Sequence, residues 1–237
     1  MTDTRHPAVD TAPEGDRDDA EAQPKPGSFW RELPVLLVVA TVVALLVRTF
    51  VLQSFWIPSG SMENTLERGD RVLVNKLVYD FFDPDRGEVV VFKAPAEWRA
   101  NPEDEDFIKR VIAVGGDTVS YDADAQAISV NGYELDESAY LYEDSRTGQQ
   151  DPPSKDDFEF TVTVPQGRLW VMGDHRSASG DSRENYIRGG GDLERATIPV
   201  DSVVGRAFVL MWPVDRWDWM STPEVFDSVP DTPPDSS

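Results

Sequence analysis

Two serines stand two positions apart in Ile57–Met62 (IPSGSM), and either hydroxyl could serve as a nucleophile. A serine hydroxyl attacks a carbonyl carbon effectively only when a nearby group removes its proton. The hexapeptide contains no acidic or basic side chain. The choice between a nucleophile at Ser59 or Ser61 and an ordinary polar loop therefore depends on a base elsewhere in the chain.

Cysteine and histidine are poor candidates for that base. The 237-residue chain has no cysteine, which excludes thiol catalysis, cysteine-ligated zinc and disulfides. Its two histidines are His6, in a polar N-terminal stretch, and His175. A Ser-His-Asp triad would rest on His175, but no GxSxG elbow accompanies it, and the adjacent Arg176 disfavours its protonation during base action. We expect neither a metal ion nor a cofactor.

Lysine is the alternative base. At a pKa near 10.4 only about one lysine in 2500 is neutral at pH 7, and lowering that pKa by about 3 units through burial requires roughly 4 kcal/mol. Lys109 lies among apolar neighbours in FIKRVIAV, and alternation places it on one strand face with Phe107, Val111 and Ala113. An ordinary lysine at a sheet edge is the competing interpretation. The other lysines lie in polar segments or near strand ends: Lys25, Lys76, Lys93 and Lys155.

A third polar cluster, Gly173–Arg183 (GDHRSASGDSR), follows a short apolar run. A polar surface loop is the simplest interpretation. Its acids and arginines would also suit a loop that internal salt bridges hold rigid, so that it presents a hydroxyl to a site.

An uncharged run, Leu33–Val47 (LPVLLVVATVVALLV), precedes these clusters. As a helix it covers about 22 Å, and extension to Leu52 reaches about 30 Å, the thickness of a bilayer core. Trp30 and Trp56 bracket it as interfacial residues would. The sequence predicts a disordered tail over 1–28 and a transmembrane helix over 29–53. A buried core helix and a cleaved signal peptide are the alternatives, and charge does not decide the orientation.

Short apolar runs separated by turn residues follow the span, without a second helical pattern. Asn131-Gly132 between two such runs is the strongest short hairpin signal. The sequence therefore predicts an all-β fold, an antiparallel sheet domain over 54–217 anchored by the single N-terminal transmembrane helix. We expect an insertion at about 121–165 and a disordered tail over 218–237.

The charge of the chain limits its partners. With 22 basic and 44 acidic residues the net charge is −22, so no extended positive face is available for phosphates. We therefore expect no nucleic-acid partner.

The three clusters, in this order behind an apolar span, resemble the bacterial type I signal peptidases, membrane proteases with a Ser/Lys pair. PSGSMENTL at 58–66 matches the serine box, GDRV at 69–72 with FIKRVIAVGGD at 107–117 matches the lysine box, and GDHRSASGDSR matches the third box. The resemblance covers about 50–215 apart from the loops. Asn64 stands where the family often has proline, and His175 where it often has asparagine.

The resemblance implies roles for individual residues. Ser61 would be the nucleophile and Lys109 the general base. Ser59 would donate its hydroxyl to the oxyanion beside the backbone N–H of Ser61, and Ser179 would hydrogen-bond and orient the lysine. The remaining site residues would be structural: Arg110, Asp174, Asp181 and Arg183.

The resemblance also implies a substrate and a location. Preprotein signal peptides would be cleaved after small residues in an A-x-A pattern. The N-terminus would be cytoplasmic and the catalytic β domain extracytoplasmic at the bacterial cell membrane, with membrane lipid as a partner and the secretion machinery as a candidate partner. Two rival interpretations are a non-catalytic, membrane-anchored β domain that acts in binding or assembly, and another Ser/Lys protease such as a self-cleaving repressor domain.

Overall fold

A computed structural model describes residues 29–46, 51–154 and 158–231 of the chain. It divides into two compact units, Met1–Val43 and Ala44–Ser237. The tail predicted over 1–28 lies outside the described residues.

Helix α1 (Phe29–Leu46) carries most of the uncharged run. The predicted membrane span is not confirmed, because no helix within the described ranges is both long enough and apolar enough to cross a bilayer. The predicted helix end at residue 53 is wrong. Leu52 and Gln53 begin a strand and pair with Asn75 and Val74 instead.

The second unit is built mostly of short strands. In the part of the chain that the structure describes, these are β1 (Leu52–Trp56), β2 (Arg71–Asn75), β3 (Val89–Lys93), β4 (Asp106–Val114), β5 (Thr118–Asp122), β6 (Ala127–Val130), β7 (Tyr133–Glu134), β8 (Glu143–Asp144), β9 (Gln149–Gln150), β10 (Phe160–Thr163), β11 (Arg168–Met172), β12 (Ile198–Pro199), β13 (Val203–Trp212) and β14 (Asp218–Trp219). The predicted class was all-β. The antiparallel sheet architecture is confirmed for this unit, which is mostly β with a few short helices.

The main sheet has the order β1-β2-β13-β3-β4-β11-β12, with β14 paired to β13. A second sheet, β10-β5-β6-β7, and the hairpin β8–β9 fall mostly within the predicted insertion. The predicted hairpin at Asn131-Gly132 joins β6 to β7, and both residues have positive φ, 51° and 77°. Two positive φ values are what a two-residue primed turn requires, which explains the Asn-Gly pair.

Two short helices begin at the end of the third cluster and just after it, where the sequence interpretation expected none. They are α2 (Ser182–Arg188) and α3 (Leu193–Ala196). An aspartate caps each one: the carboxylate of Asp181 accepts from Arg183 N, and that of Asp192 accepts from Glu194 N and Arg195 N. Asp-x-x-Glu at 181–184 was a capping signal in the sequence, but the helices were too short to produce a visible apolar period.

The predicted disordered tail beginning at 218 is wrong as far as Asp231. After β14 a short helical turn, Glu224–Ser228, buries Phe226, and Val229 is also buried in the core around the second sheet. Asn131 Nδ2 donates to Pro230 O at 2.7 Å. The segment is rich in proline and aspartate, and this composition concealed the few contacts that anchor it. Burial of a single aromatic side chain contributes enough to fix such a short segment.

We expect Phe226→Ala to lower the free energy of unfolding by about 3–5 kcal/mol, because Phe226 is 5% exposed and its removal leaves a cavity. Phe81→Ala is the matched control, since that ring is 78% exposed. Denaturant titration of both variants in detergent measures the difference. Equal stabilities would show that the C-terminal segment is not packed on the core.

Candidate active site

The serine cluster forms a tight turn directly after β1. Glu63 N donates to Gly60 O at 3.1 Å, and Leu66 N donates to Met62 O at 2.7 Å. The side chains of Ile57 and Met62 are buried on either side of the turn and fix it to the sheet. This arrangement holds Ser61, which is 6% exposed, over the neighbouring strands.

Lys109 reaches this serine from the middle of β4. Its Nζ lies 2.6 Å from Ser61 Oγ and donates to Ile108 O at 3.0 Å. The ammonium nitrogen lies 5.6 Å from the centre of the Phe107 ring, on the strand face that alternation predicted. The side chain is buried in a central strand that pairs with β3 and β11, so the sheet-edge interpretation is wrong.

Burial lowers the pKa of Lys109 from 10.5 to about 8. The carboxylates of Asp181 and Asp174 oppose this shift, and the charge of Arg183 adds to it. Each carboxylate is paired: Arg183 Nη2 lies 2.7 Å from Asp181 Oδ2, and Arg110 Nη2 lies 2.6 Å from Asp174 Oδ2. Because the arginines offset these negative charges, desolvation decides the pKa. At pH 7 Lys109 is then neutral in about one molecule in ten.

Asp174 and Asp181 also hold the third cluster in place. Asp174 Oδ2 accepts a hydrogen bond from Thr65 Oγ1 at 2.5 Å, which joins this cluster to the serine turn. Asp181 Oδ2 accepts from Gly173 N at 3.1 Å. Burial would raise the pKa of Asp181, but Arg183 keeps it below its usual value, so the carboxylate remains charged.

Ser59 lies beside the nucleophile candidate, with its Oγ 3.4 Å from Ser61 Oγ. Unlike Ser61 it is exposed to solvent. The two serines that the sequence could not separate therefore differ in surroundings, because only Ser61 contacts the buried lysine.

Ser179 is close to the site but does not make the hydrogen bond to Lys109 that we expected. Its buried Oγ has no hydrogen-bond partner of good geometry among the described residues, although it lies close enough to Asp181 to help lower the pKa of that carboxylate. The hydrogen bonds of Lys109 Nζ go to Ser61 and Ile108. Ser179 therefore contacts the site through packing.

Gly173 explains how closely the clusters approach, and the sequence interpretation gave it no role. A Cβ atom there would lie 2.3 Å from Ser61 O and 2.4 Å from Ser179 Oγ. No side chain fits between these groups. The glycine-aspartate pair that opens the third cluster was the available signal.

Glu137 is a second residue that the sequence did not reveal. Its carboxylate forms a buried salt bridge with Arg176, including a 2.8 Å contact between Arg176 Nη1 and Glu137 Oε2. The pair connects the insertion to the third cluster across 39 positions. Such a separation leaves no pattern in a single sequence.

His175 does not form a catalytic triad. Its Nδ1 lies 2.8 Å from Glu63 Oε2 and 3.1 Å from Gly60 O, and within the described ranges neither ring nitrogen bonds to Ser61 Oγ. Lys109 is the base candidate in contact with Ser61 Oγ. An uncharged lysine beside a serine can activate the hydroxyl for attack on a carbonyl, which is the chemistry of acyl-transfer hydrolases.

Comparison with known proteins agrees with this class. The family model described as signal peptidase, peptidase S26, matches residues 30–212. The chain therefore belongs to the S26 signal peptidase family and is a hydrolase that acts on peptide bonds.

Several relatives are similar over most of their length. A signal peptidase I of Mycobacterium tuberculosis is 38% identical, covering 89% of this chain and 83% of the relative. A probable signal peptidase I-2 of Synechocystis is 37% identical over 81% of this chain and 77% of the relative. A solved signal peptidase I from Enterococcus faecalis shares 25% identity over 53% of this chain and 97% of that chain, with a TM-score of 0.36.

We expect Lys109→Met to stabilise the fold at neutral pH. Below the folded-state pKa of about 8 the wild type carries a buried charge, whereas the unfolded chain retains its proton up to about pH 10.5. The variant should therefore be more stable than the wild type by about 3 kcal/mol at pH 7 and by less than about 1 kcal/mol at pH 10.

Denaturant titrations at the two pH values measure this difference. Lys93→Met is the control, because the Lys93 side chain is 50% exposed and lies next to Glu105 and Asp106. A difference for Lys109→Met that does not change with pH would contradict the lowered pKa.

Proposed function

We propose that this chain is a membrane-bound serine endopeptidase that cleaves signal peptides from secreted preproteins with a Ser61–Lys109 dyad. The observation that carries the proposal is the 2.6 Å distance between Ser61 Oγ and Nζ of a buried lysine whose pKa is lowered to about 8. The substrate class is that of the relatives named signal peptidase I.

Neutral Lys109 accepts the proton of Ser61 Oγ as the oxygen attacks the carbonyl carbon of the scissile bond. The tetrahedral intermediate collapses when protonated Lys109 gives its proton to the leaving amine, which departs as the new N-terminus of the mature protein. Lys109, neutral again, takes a proton from water that attacks the acyl ester. Return of that proton to Ser61 Oγ releases the signal peptide and restores the dyad.

The oxyanion is stabilised by two donors, the Ser59 hydroxyl and the backbone N–H of Ser61. Ser59 Oγ supports this role by its 3.4 Å separation from Ser61 Oγ and by its exposure toward solvent, from where a substrate arrives. Ser179 and Gly173 pack behind Ser61. Arg110 and Arg183 pair with Asp174 and Asp181 and so offset the negative charges that would otherwise stabilise the protonated lysine.

Small residues are preferred next to the scissile bond. The exposed fraction of Ser61 is 6% and that of Lys109 is 4%, so only a substrate with little bulk at that position brings its carbonyl carbon to Oγ. An A-x-A pattern satisfies this requirement.

Two features support attachment to a membrane, with the N-terminus cytoplasmic and the β domain outside. The uncharged run Leu33–Val47 is one of them. The other is an aromatic edge on the main sheet, where Trp56 is 61% exposed and Trp219 is 60% exposed. Trp56 and Trp212 both lie opposite Arg71, on the strands that flank it. Exposed tryptophans are typical of surfaces at the lipid headgroup level.

We expect Ser61→Ala and Lys109→Ala each to abolish cleavage of a preprotein in detergent, because one removes the nucleophile and the other the base. Ser59→Ala should leave a rate reduced by roughly 10²-fold to 10³-fold, the usual cost of one oxyanion donor. Ser54→Ala is the matched control, an exposed serine in β1, and should cleave at the wild-type rate. Full activity of Lys109→Ala would overturn the mechanism and favour a binding or assembly role.

A further inference from the structure

His175 holds both carbonyl groups that flank the Ser61 backbone. Its backbone N–H donates to Ser61 O at 3.2 Å, and its ring Nδ1 lies 3.1 Å from Gly60 O. Neither contact involves the Ser61 side chain. The contacts therefore fix the peptide groups on each side of the nucleophile.

The neighbours of Nδ1 determine where the ring carries its hydrogen. Gly60 O is a carbonyl acceptor, and Glu63 Oε2, 2.8 Å from the same nitrogen, belongs to a carboxylate. Two acceptors cannot both contact an unprotonated nitrogen favourably, so Nδ1 is the donor to both. The other ring nitrogen lies 3.9 Å from Asp151 Oδ2. Nδ1 carries a hydrogen whether the ring is neutral or charged.

A stacking contact with a tyrosine fixes the plane of the His175 imidazole ring. The ring stacks on Tyr142, with ring centres 3.8 Å apart and planes inclined by 17°. Tyr142 N in turn donates to Asp174 O at 3.0 Å, which ties the insertion to the third cluster at this point. The donor at Nδ1 is therefore presented in a fixed direction.

We propose that His175 is a positioning residue that orients the Gly60–Ser61 peptide group. A peptide group is planar, so the hydrogen bond that fixes Gly60 O on one side also fixes the Ser61 N–H on the opposite side. This inference rests on the proposed function, in which that N–H stabilises the oxyanion. A correctly directed donor contributes in the transition state, so its loss lowers kcat and leaves substrate binding unchanged.

Two substitutions separate the hydrogen bond from the stacking. His175→Phe keeps a ring against Tyr142 but has no donor. His175→Asn loses the ring but places an amide N–H at the position of Nδ1, one bond from Cγ. We expect kcat to fall about 10-fold to 100-fold in His175→Phe with KM within twofold, and to stay within about threefold of wild type in His175→Asn. The reverse order, with activity following the ring, would overturn the inference.

His175→Gln provides a second comparison if His175→Phe does not fold. It carries the same amide as His175→Asn but displaced by one bond from the position of Nδ1. We expect its kcat to fall at least tenfold below that of His175→Asn. Equal kcat values for the two amides would contradict a directional role. Thermal unfolding of each variant separates a loss of folded enzyme from a loss of kcat.

The Ser61→Ala variant in the same assay separates the two proposals. If Ser61→Ala still cleaves, the proposed function itself is wrong. If Ser61→Ala is inactive while His175→Phe keeps kcat within twofold, the dyad stands and only the positioning role of His175 is wrong.

Discussion

Lys109 Nζ lies 2.6 Å from Ser61 Oγ in a buried position, and the surroundings of this pair follow from the need to lower the pKa of the lysine far enough to supply a neutral fraction. Moving its pKa from 10.5 to about 8 corresponds to about 3 kcal/mol. That is a considerable part of the 5–15 kcal/mol that typically separates folded from unfolded domains. Unpaired carboxylates beside the ammonium group would cancel the shift, so Asp174 and Asp181 are acceptable only with arginine partners.

The arginine partners are themselves supported by distant parts of the chain. Arg110 Nη1 donates to Gly87 O at 2.8 Å, and a Cβ on Gly87 would lie 2.5 Å from Thr222 and 2.6 Å from the Phe226 ring. The segment after β14 thus packs against the residue that supports Arg110. On the other side Arg183 Nη2 donates to Arg176 O at 3.1 Å, and Arg176 pairs with Glu137 of the insertion. Segments that surround the sheet therefore stabilise the charge arrangement on which a neutral lysine depends.

Sequence reasoning recovered what depends on local pattern. Alternation placed Lys109 on its strand face, Asn131-Gly132 specified its hairpin, and the order of the three clusters indicated the family. Sequence reasoning failed for contacts between residues that are far apart in the chain, because long-range packing determines them. The hydrogen bond expected between Ser179 and Lys109 is absent because the lysine bonds to Ser61 and to its own strand. Glu137 lies 39 positions from its partner, and Phe226 is an isolated apolar anchor in a polar segment.

The central claim is that burial lowers the pKa of Lys109 to about 8, and a titration of the lysine Cε resonances by carbon NMR tests it most directly. The chain contains five lysines, and loss of one resonance in Lys109→Met assigns the relevant signal. We predict that this signal titrates near pH 8, whereas the exposed Lys93 titrates above the usual value for lysine. A Lys109 resonance that titrates above about pH 10, as in an exposed side chain, would contradict the account.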